Sequence, residues 1–316
     1  MEQITLSHIS GFFVGHAENR AAGTGCNVIL TPNGAVASAY NPGFAPGSRE
    51  TDLLKPENTV DRIHGLLLAG GSAFGLAAAE GVMRFLREKK LGFDTGFIKV
   101  PLVAAAVIYD YPGNNSRGSL PDASLGYMAA FNAGKSPVKS GFYGAGISAT
   151  CGKAAGPALA SPSGLGSFGY KDGELMVAAL SVVNPFGSIV DPDSGRIIAG
   201  MKLPNGALAD KHDNLKAIKE KAYRLGESYP GNTVLAAVGT NARLDKLGAY
   251  RLARMASAGL SRVIYPASLL FDGDTIFALS SNDGPEVDEG WLGSLAAEVV
   301  ARSIVESARC FEKKNV

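Results

Sequence analysis

The chain has 316 residues, 46% of them hydrophobic and 19% charged, with a formal net charge of +1. That composition can bury a sizeable core and argues against disorder. With no basic block longer than Lys89-Lys90 or Lys313-Lys314, nothing points to nucleic acid or an anionic membrane surface. The longest apolar run, residues 100–108, is too short to span a bilayer, and MEQITLSHISGFFVG lacks the pattern of a signal peptide. Cys26, Cys151 and Cys310 are a sparse, odd set that fits a reducing cytoplasm. Neither they nor His8, His16, His64 and His212 stand at metal-ligand spacing, so no metal and no cofactor is expected. Glycine is abundant, 40 residues spread along the chain, as in a layered α/β enzyme with many tight turns.

In chain order, residues 25–40 read as two strands joined by the turn Thr31-Pro32-Asn33-Gly34. Residues 41–57 form a polar loop. His64–Ala69 is a buried strand that runs into Gly70-Gly71-Ser72-Ala73-Phe74-Gly75, then a helix from about Leu76 to Lys90. A second buried strand covers 100–109 and ends in Tyr109-Asp110-Tyr111; a helix around Gly126 and Tyr127 follows. After the glycine-rich stretch 141–156 come strands at 165–171 and 174–184, with Asp172-Gly173 as a hairpin signal. Residues 185–200 look like a short hairpin, and 213–228 a charged helix with Asp213 placed to cap it. A buried strand at 233–240, a helix at 244–258, a strand near 274–280 and a helix at 291–309 complete the chain. Strands arrive in pairs and helices singly, which predicts mixed sheets.

Several chemistries fail on their spacing. Gly152-Lys153 would need glycine at 147 and Ser or Thr at 154 to cradle a phosphate, and Ile147 and Ala154 stand there. Gly70–Gly75 lacks the G-x-G-x-x-G spacing of a dinucleotide site. No G-x-S-x-G occurs, and His64 reads as an ordinary, partly buried histidine. Cys26 and Cys151 read as small core residues. Asp191 and Asp193, flanked by Pro192 and Gly195, read as turn residues. Asp272-Gly273-Asp274 is either a turn or a pair of acids presented at a strand edge. Asn184, at the end of a buried strand, either starts a turn or lends its amide to an oxyanion. Asn232-Thr233 is either a turn followed by a β-branched strand residue or a self-cleavage site. In the second case the threonine hydroxyl attacks the preceding carbonyl, and the freed α-amine, with a pKa of about 7.7–8.0, serves as a base.

These segments, in order, carry a resemblance. Val14-Gly15-His16, Gly23-Thr24-Gly25, Ala45-Pro46-Gly47-Ser48-Arg49-Glu50-Thr51-Asp52, Leu68–Leu76, Gly144-Ala145-Gly146 with Gly152-Lys153, Val183-Asn184, Asn232-Thr233, Thr240-Asn241-Ala242 and Phe271–Thr275 resemble the self-cleaving P1-type (S58) peptidases. These are N-terminal-nucleophile hydrolases that include L-aminopeptidase/D-esterases, β-peptidyl aminopeptidases and nylon-oligomer hydrolases. The resemblance spans nearly the whole chain. It implies a single four-layer αββα sandwich with mixed sheets over 1–316, cut between Asn232 and Thr233 into 1–232 and 233–316. It further implies Thr233 as nucleophile, Asn184 as the oxyanion asparagine, Asp272 and Asp274 as the acids that position the nucleophile and its amine, Lys153 near them, and Tyr111 (or Tyr109) in the substrate pocket. A homo-oligomer is implied, a tetramer of cleaved αβ heterodimers, acting on a small peptide or amide. Two departures stand out: many members use serine where this chain has Thr233, and the helix after Gly75 usually carries an acid where this chain has Ala77.

The sequence thus predicts a self-processing amidohydrolase or aminopeptidase working through an acyl-enzyme. The alternatives are a 6-aminohexanoate-oligomer hydrolase, an acyltransferase of the ornithine acetyltransferase type, and an uncut, non-catalytic binding protein. The acyltransferase would carry Lys-Gly-Thr at its cleavage site, and this chain has Gly231-Asn232-Thr233.

Overall fold

The computed structural model describes residues 1–110, 119–222 and 232–312. The strands of its main sheet are β1 (Glu2–Ile4), β2 (Phe13–Asn19), β3 (Thr24–Tyr40), β4 (Ser48–Arg49), β5 (Arg62–Ala69), β6 (Val103–Val107), β7 (Leu165–Asp172), β8 (Leu175–Asn184), β9 (Thr233–Thr240) and β10 (Thr275–Ser280). The α-helices are α1 (Ala78–Glu88), α2 (Ala123–Phe131), α3 (Lys211–Ala222), α4 (Lys246–Val263) and α5 (Glu289–Glu312). Strand order is β1-β7-β8-β9-β10-β3-β5-β6-β4, with β2 also paired to β3. The pairs β9/β10 and β5/β6 are parallel. Their neighbours are antiparallel, so the sheet is mixed.

β3 ties the two halves of this sheet together. Cys26–Leu30 and, after a register shift, Ala35 and Val36 pair with β5, while Val36–Tyr40 pairs on its other edge with β10. The sequence predicts a turn at Thr31–Gly34; the structure has instead one long strand with a register shift between Leu30 and Ala35. Pro32 has no N–H to give a ladder and Gly34 sits at φ +75°, so pairing breaks locally while the chain carries on. The turn residues make an irregularity inside the β3/β5 pairing rather than reversing the chain.

The alternation of side chains then builds four layers. Val234, Ala236 and Val238 of β9 pack against α4 and α5, in a core with Leu252, Leu260, Leu295 and Val299. Leu235 and Ala237 point the other way and meet Leu66 and Leu68 of β5, and Ala104 and Ala106 of β6, between the sheet halves. The opposite faces of β5 and β6, through Leu67, Ala69, Val103 and Ala105, cover α1 and α2. This is the αββα sandwich expected. β9 is buried on both faces, which is why it reads as an unbroken apolar run. No helix among the described residues is long and apolar enough to cross a membrane.

One capping expectation is corrected. Helix α3 starts at Lys211, so Asp213 lies in its first turn rather than before it. Asp210 caps it: its Oδ1 accepts the Asp213 N–H at 2.8 Å, and Asp213 Oδ2 accepts the Asp210 N–H at 3.2 Å.

Candidate active site

Strand pairing decides which residues meet. Thr233, the first residue of β9, lies opposite Asn184, the last of β8. β10 runs parallel to β9, so the turn that enters it, Asp272-Gly273-Asp274, arrives at the same end. Asn232 pairs with Asp272 in an isolated parallel bridge. The Asn232 carbonyl oxygen accepts the Gly273 N–H at 3.1 Å and the Thr233 hydroxyl at 2.5 Å. A Cβ at Gly273 would sit 2.7 Å from Thr233 Oγ1 and 2.8 Å from the Ala45 carbonyl oxygen, so only glycine leaves room for the hydroxyl. The 43–45 loop is laced to the same turn, with Gly43 N–H donating to Asp274 O and Ala45 N–H to Asp272 O.

The two acids hold backbone. Asp274 Oδ1 accepts the Val234 N–H at 2.8 Å and its Oδ2 the Ser268 N–H at 3.2 Å. Asp272 Oδ2 accepts the Leu269 N–H at 2.7 Å. Asp272 Oδ1 is buried with no hydrogen-bond partner among the described residues. Burial, and for Asp272 the neighbouring Asp274 charge, pushes both carboxyls above the usual range, and the pair titrates together.

Lys153 is 2% exposed and donates to Asn184 Oδ1 at 2.7 Å and to Asn184 O at 2.9 Å. Burial pulls its pKa down to about 7, against the opposing charges of Cys151, Asp272 and Asp110. The Asn184 side chain is oriented from both ends. Its Oδ1 also accepts the Thr150 N–H at 3.1 Å, and its Nδ2 donates to the Tyr109 carbonyl at 2.8 Å. A flipped amide would set N–H against two donors, so this network fixes the plane and leaves Nδ2 one further hydrogen.

Thr233, Asn184, Asp272, Asp274, Lys153 and Asn232 therefore come together. Tyr111 lies outside the described residues; its neighbour Tyr109 reaches the site through its carbonyl. Reading the sequence missed Gly273, Thr150 and the Tyr109 carbonyl, because each acts through backbone. The Asp272-Gly273 pair was a signal for Gly273, since a glycine at a turn apex also permits close approach.

The other candidates resolve as structure. Burial pushes the Cys26 and Cys151 thiols up to about 12, far from a nucleophilic thiolate. His64 is buried and its Nδ1 accepts the Leu102 N–H at 3.4 Å. Asp191 Oδ1 accepts the Asp193 and Ser194 N–H groups in a side-chain turn, and Asp191 and Asp193 pair with Arg309 and Arg302 of α5.

Known proteins resemble the chain in sequence and in fold. An uncharacterized aminopeptidase of Mycobacterium tuberculosis (strain ATCC 25618 / H37Rv) is 38% identical over 289 residues, 88% of this chain and 81% of that protein. A 6-aminohexanoate-oligomer endohydrolase of Kocuria sp. (strain KY2) is 30% identical over 312 residues, 95% of this chain and 84% of that one. Among solved structures, a Burkholderia sp. beta-aminopeptidase superposes with TM-score 0.70 at 17% identity, over 96% of this chain and 85% of that one. An L-aminopeptidase D-Ala-esterase/amidase from Ochrobactrum anthropi, described as a variant of the Ntn hydrolase fold, gives 0.68 at 16% identity with the same coverage. At such identities the superpositions speak for the fold alone. The family model for peptidase family S58 matches residues 5–312, nearly the whole length, and the chain belongs to that family, a hydrolase acting on amide bonds.

Proposed function

We propose that the chain cuts itself between Asn232 and Thr233 and then uses Thr233 as the N-terminal nucleophile of an aminopeptidase-like amidohydrolase. One observation carries the reading: the Thr233 hydroxyl sits on the carbonyl that would be cut, and the Gly273 N–H holds that same oxygen. In the first step Thr233 Oγ bonds the Asn232 carbonyl carbon, the C–N bond breaks, and the nitrogen takes the hydroxyl proton. Water then hydrolyses the ester, releasing the Asn232 carboxylate and a Thr233 with free hydroxyl and amine. Asp272 Oδ1, one residue along from the Gly273 that faces Thr233, is an acceptor suited to the new amine.

Substrate follows the same chemistry. The Thr233 amine removes the hydroxyl proton as Oγ attacks an amide carbonyl. The remaining Asn184 Nδ2–H and backbone N–H groups stabilise the oxyanion, and the leaving amine takes the proton. Water resolves the acyl-enzyme. The two fragments stay together as one sandwich, and we expect the cut heterodimers to assemble further. A second reading, endohydrolysis of 6-aminohexanoate oligomers, draws on relatives of that name that align over most of their length.

The test is a denaturing gel after incubation, with N-terminal sequencing. Two bands, the smaller starting at Thr233, are expected, and a single band for Thr233→Ala. An uncut wild-type chain overturns the proposal. Comparing release from aminoacyl amides with release from 6-aminohexanoate oligomers separates the two substrate readings.

A further inference from the structure

Asp110 follows β6 and is 2% exposed, and no step above uses its carboxylate. Its Oδ1 accepts the Gly71 N–H at 2.8 Å and its Oδ2 the Thr24 hydroxyl at 3.2 Å. Burial pushes this carboxyl up, while Gly71, its own backbone N–H, Thr24 and Lys153 favour the charged form. The cradle is built for it. A Cβ at Gly70 would lie 2.3 Å from Asp110 Oδ2 and 2.6 Å from Thr24 Oγ1. Gly71 aims its N–H from φ +79°, where its own Cβ would lie 2.7 Å from the Pro121 ring. The Gly70-Gly71 pair, which resembles part of a nucleotide loop, holds an internal carboxyl group instead.

What Asp110 pins is a peptide plane. The Tyr109 carbonyl and the Asp110 N–H belong to one rigid unit. The preceding residue, Ile108, is tied on both sides, its N–H to Ala69 O and its carbonyl to the Ser72 N–H. Fixing Asp110 therefore fixes the direction of the Tyr109 carbonyl, the acceptor for Asn184 Nδ2 at 2.8 Å. We propose that Asp110, held by Gly71 and Thr24, is a positioning residue: through the Tyr109 carbonyl it turns the Asn184 amide so that the remaining N–H faces the acyl oxygen on Thr233. This rests on the oxyanion role of Asn184 given above.

The test is a double-mutant cycle on kcat, counted per self-cleaved chain with an aminoacyl amide substrate, and on the self-cleavage rate where a variant stays largely uncut. Asp110→Ala is expected to lower the rate roughly tenfold with KM within about twofold, because binding is not what it aligns. Asp110→Asn, which still accepts from Gly71 and faces Thr24, restores most of that loss. In an Asn184→Ala background, Asp110→Ala should change the rate less than about twofold. Thr24→Val, which removes one donor to the same carboxylate, should show the same dependence on Asn184 and serves if Asp110→Ala does not fold. Losses that multiply in the Asn184→Ala background overturn the proposal, as does a wild-type rate in Asp110→Ala. Full activity in Asn184→Ala itself fells the oxyanion reading, and Asp110's role with it.

Discussion

Lys153 carries a cost that a surface lysine does not. Its displacement from the ordinary 10.5 to about 7 corresponds to on the order of 5 kcal/mol of disfavoured charge. The sign follows from linkage. The unfolded chain keeps its lysine protonated up to about 10.5, so the stability contributed by the neutral buried amine is present above that pH and is lost as pH falls towards 7. Lys153→Met lacks this term. Urea melts of the two proteins between pH 9.5 and 7.5 should show the wild type losing about 1.4 kcal/mol per pH unit relative to the variant. A pH-independent difference would mean that Lys153 stays charged. Activity moves the other way, because Lys153 orients Asn184: Lys153→Met is expected to lower kcat by roughly ten- to a hundredfold, read with an aminoacyl amide. Asp272 and Asp274 have the opposite sign. Their raised pKa values give stability that is present below the ordinary carboxylate range and lost as pH rises through the folded values.

Single elements set the spacing around those residues. The turn before β10 must be glycine at 273, because a Cβ there would meet Thr233 Oγ1 at 2.7 Å. Gly273→Ala should slow the appearance of the two bands on a denaturing gel by at least tenfold, on the order of the cost of misplacing one reacting group. Unchanged timing would show that the hydroxyl has space the structure does not give it. At the start of α4, Lys246 donates to three carbonyls, Leu53 O, Asn58 O and Val60 O, at 2.6–2.8 Å. A cation at a helix N-terminus opposes the helix dipole, so this cage accounts for its place there. Lys246→Met leaves three acceptors without their donor and should cost about 2 kcal/mol in a urea melt. The loop it holds continues the 43–45 segment bonded to Asp272 and Asp274, so self-cleavage should slow as well.

The whole molecule explains how a cut chain would stay in one piece. β9 lies between β8 and β10, and its faces feed both the helix-side core and the core between the sheet halves. Residues 233–312 supply β9 and β10, which feed both cores, and α4 and α5, which close the helix-side core, so this fragment could not leave as a whole without exposing both cores. Size-exclusion chromatography of the processed protein should give one peak that contains both fragments, and they should separate only in denaturant. Two peaks under native conditions would contradict this.

Much of this was legible in the residues. Short apolar runs and turn signals located most strands, and the ordered segments from Val14-Gly15-His16 to Phe271–Thr275 pointed to the family and, through that resemblance, to Thr233, Asn184, Asp272, Asp274 and Lys153. Those are local properties: a side chain's chemistry and the period of a strand are written in neighbouring positions. What lay beyond reach was long-range or backbone in nature. The turn-like Thr31–Gly34 became a bulge within β3 because the residues on both sides of it, Leu30 and Ala35, pair with the same strand β5, a choice made by a partner far away in sequence. Thr150 and the Tyr109 carbonyl act through main-chain groups that every residue possesses, so no side chain marks them, and Gly273 is marked only by the Asp-Gly turn signal. The sequence by itself determined which residues could do chemistry. Only the packing of β8, β9 and β10 side by side decided that the Thr233 hydroxyl, the Asn232 carbonyl and the Asn184 amide share one end of a sheet, because hydrogen-bond register across strands is a property of the folded chain.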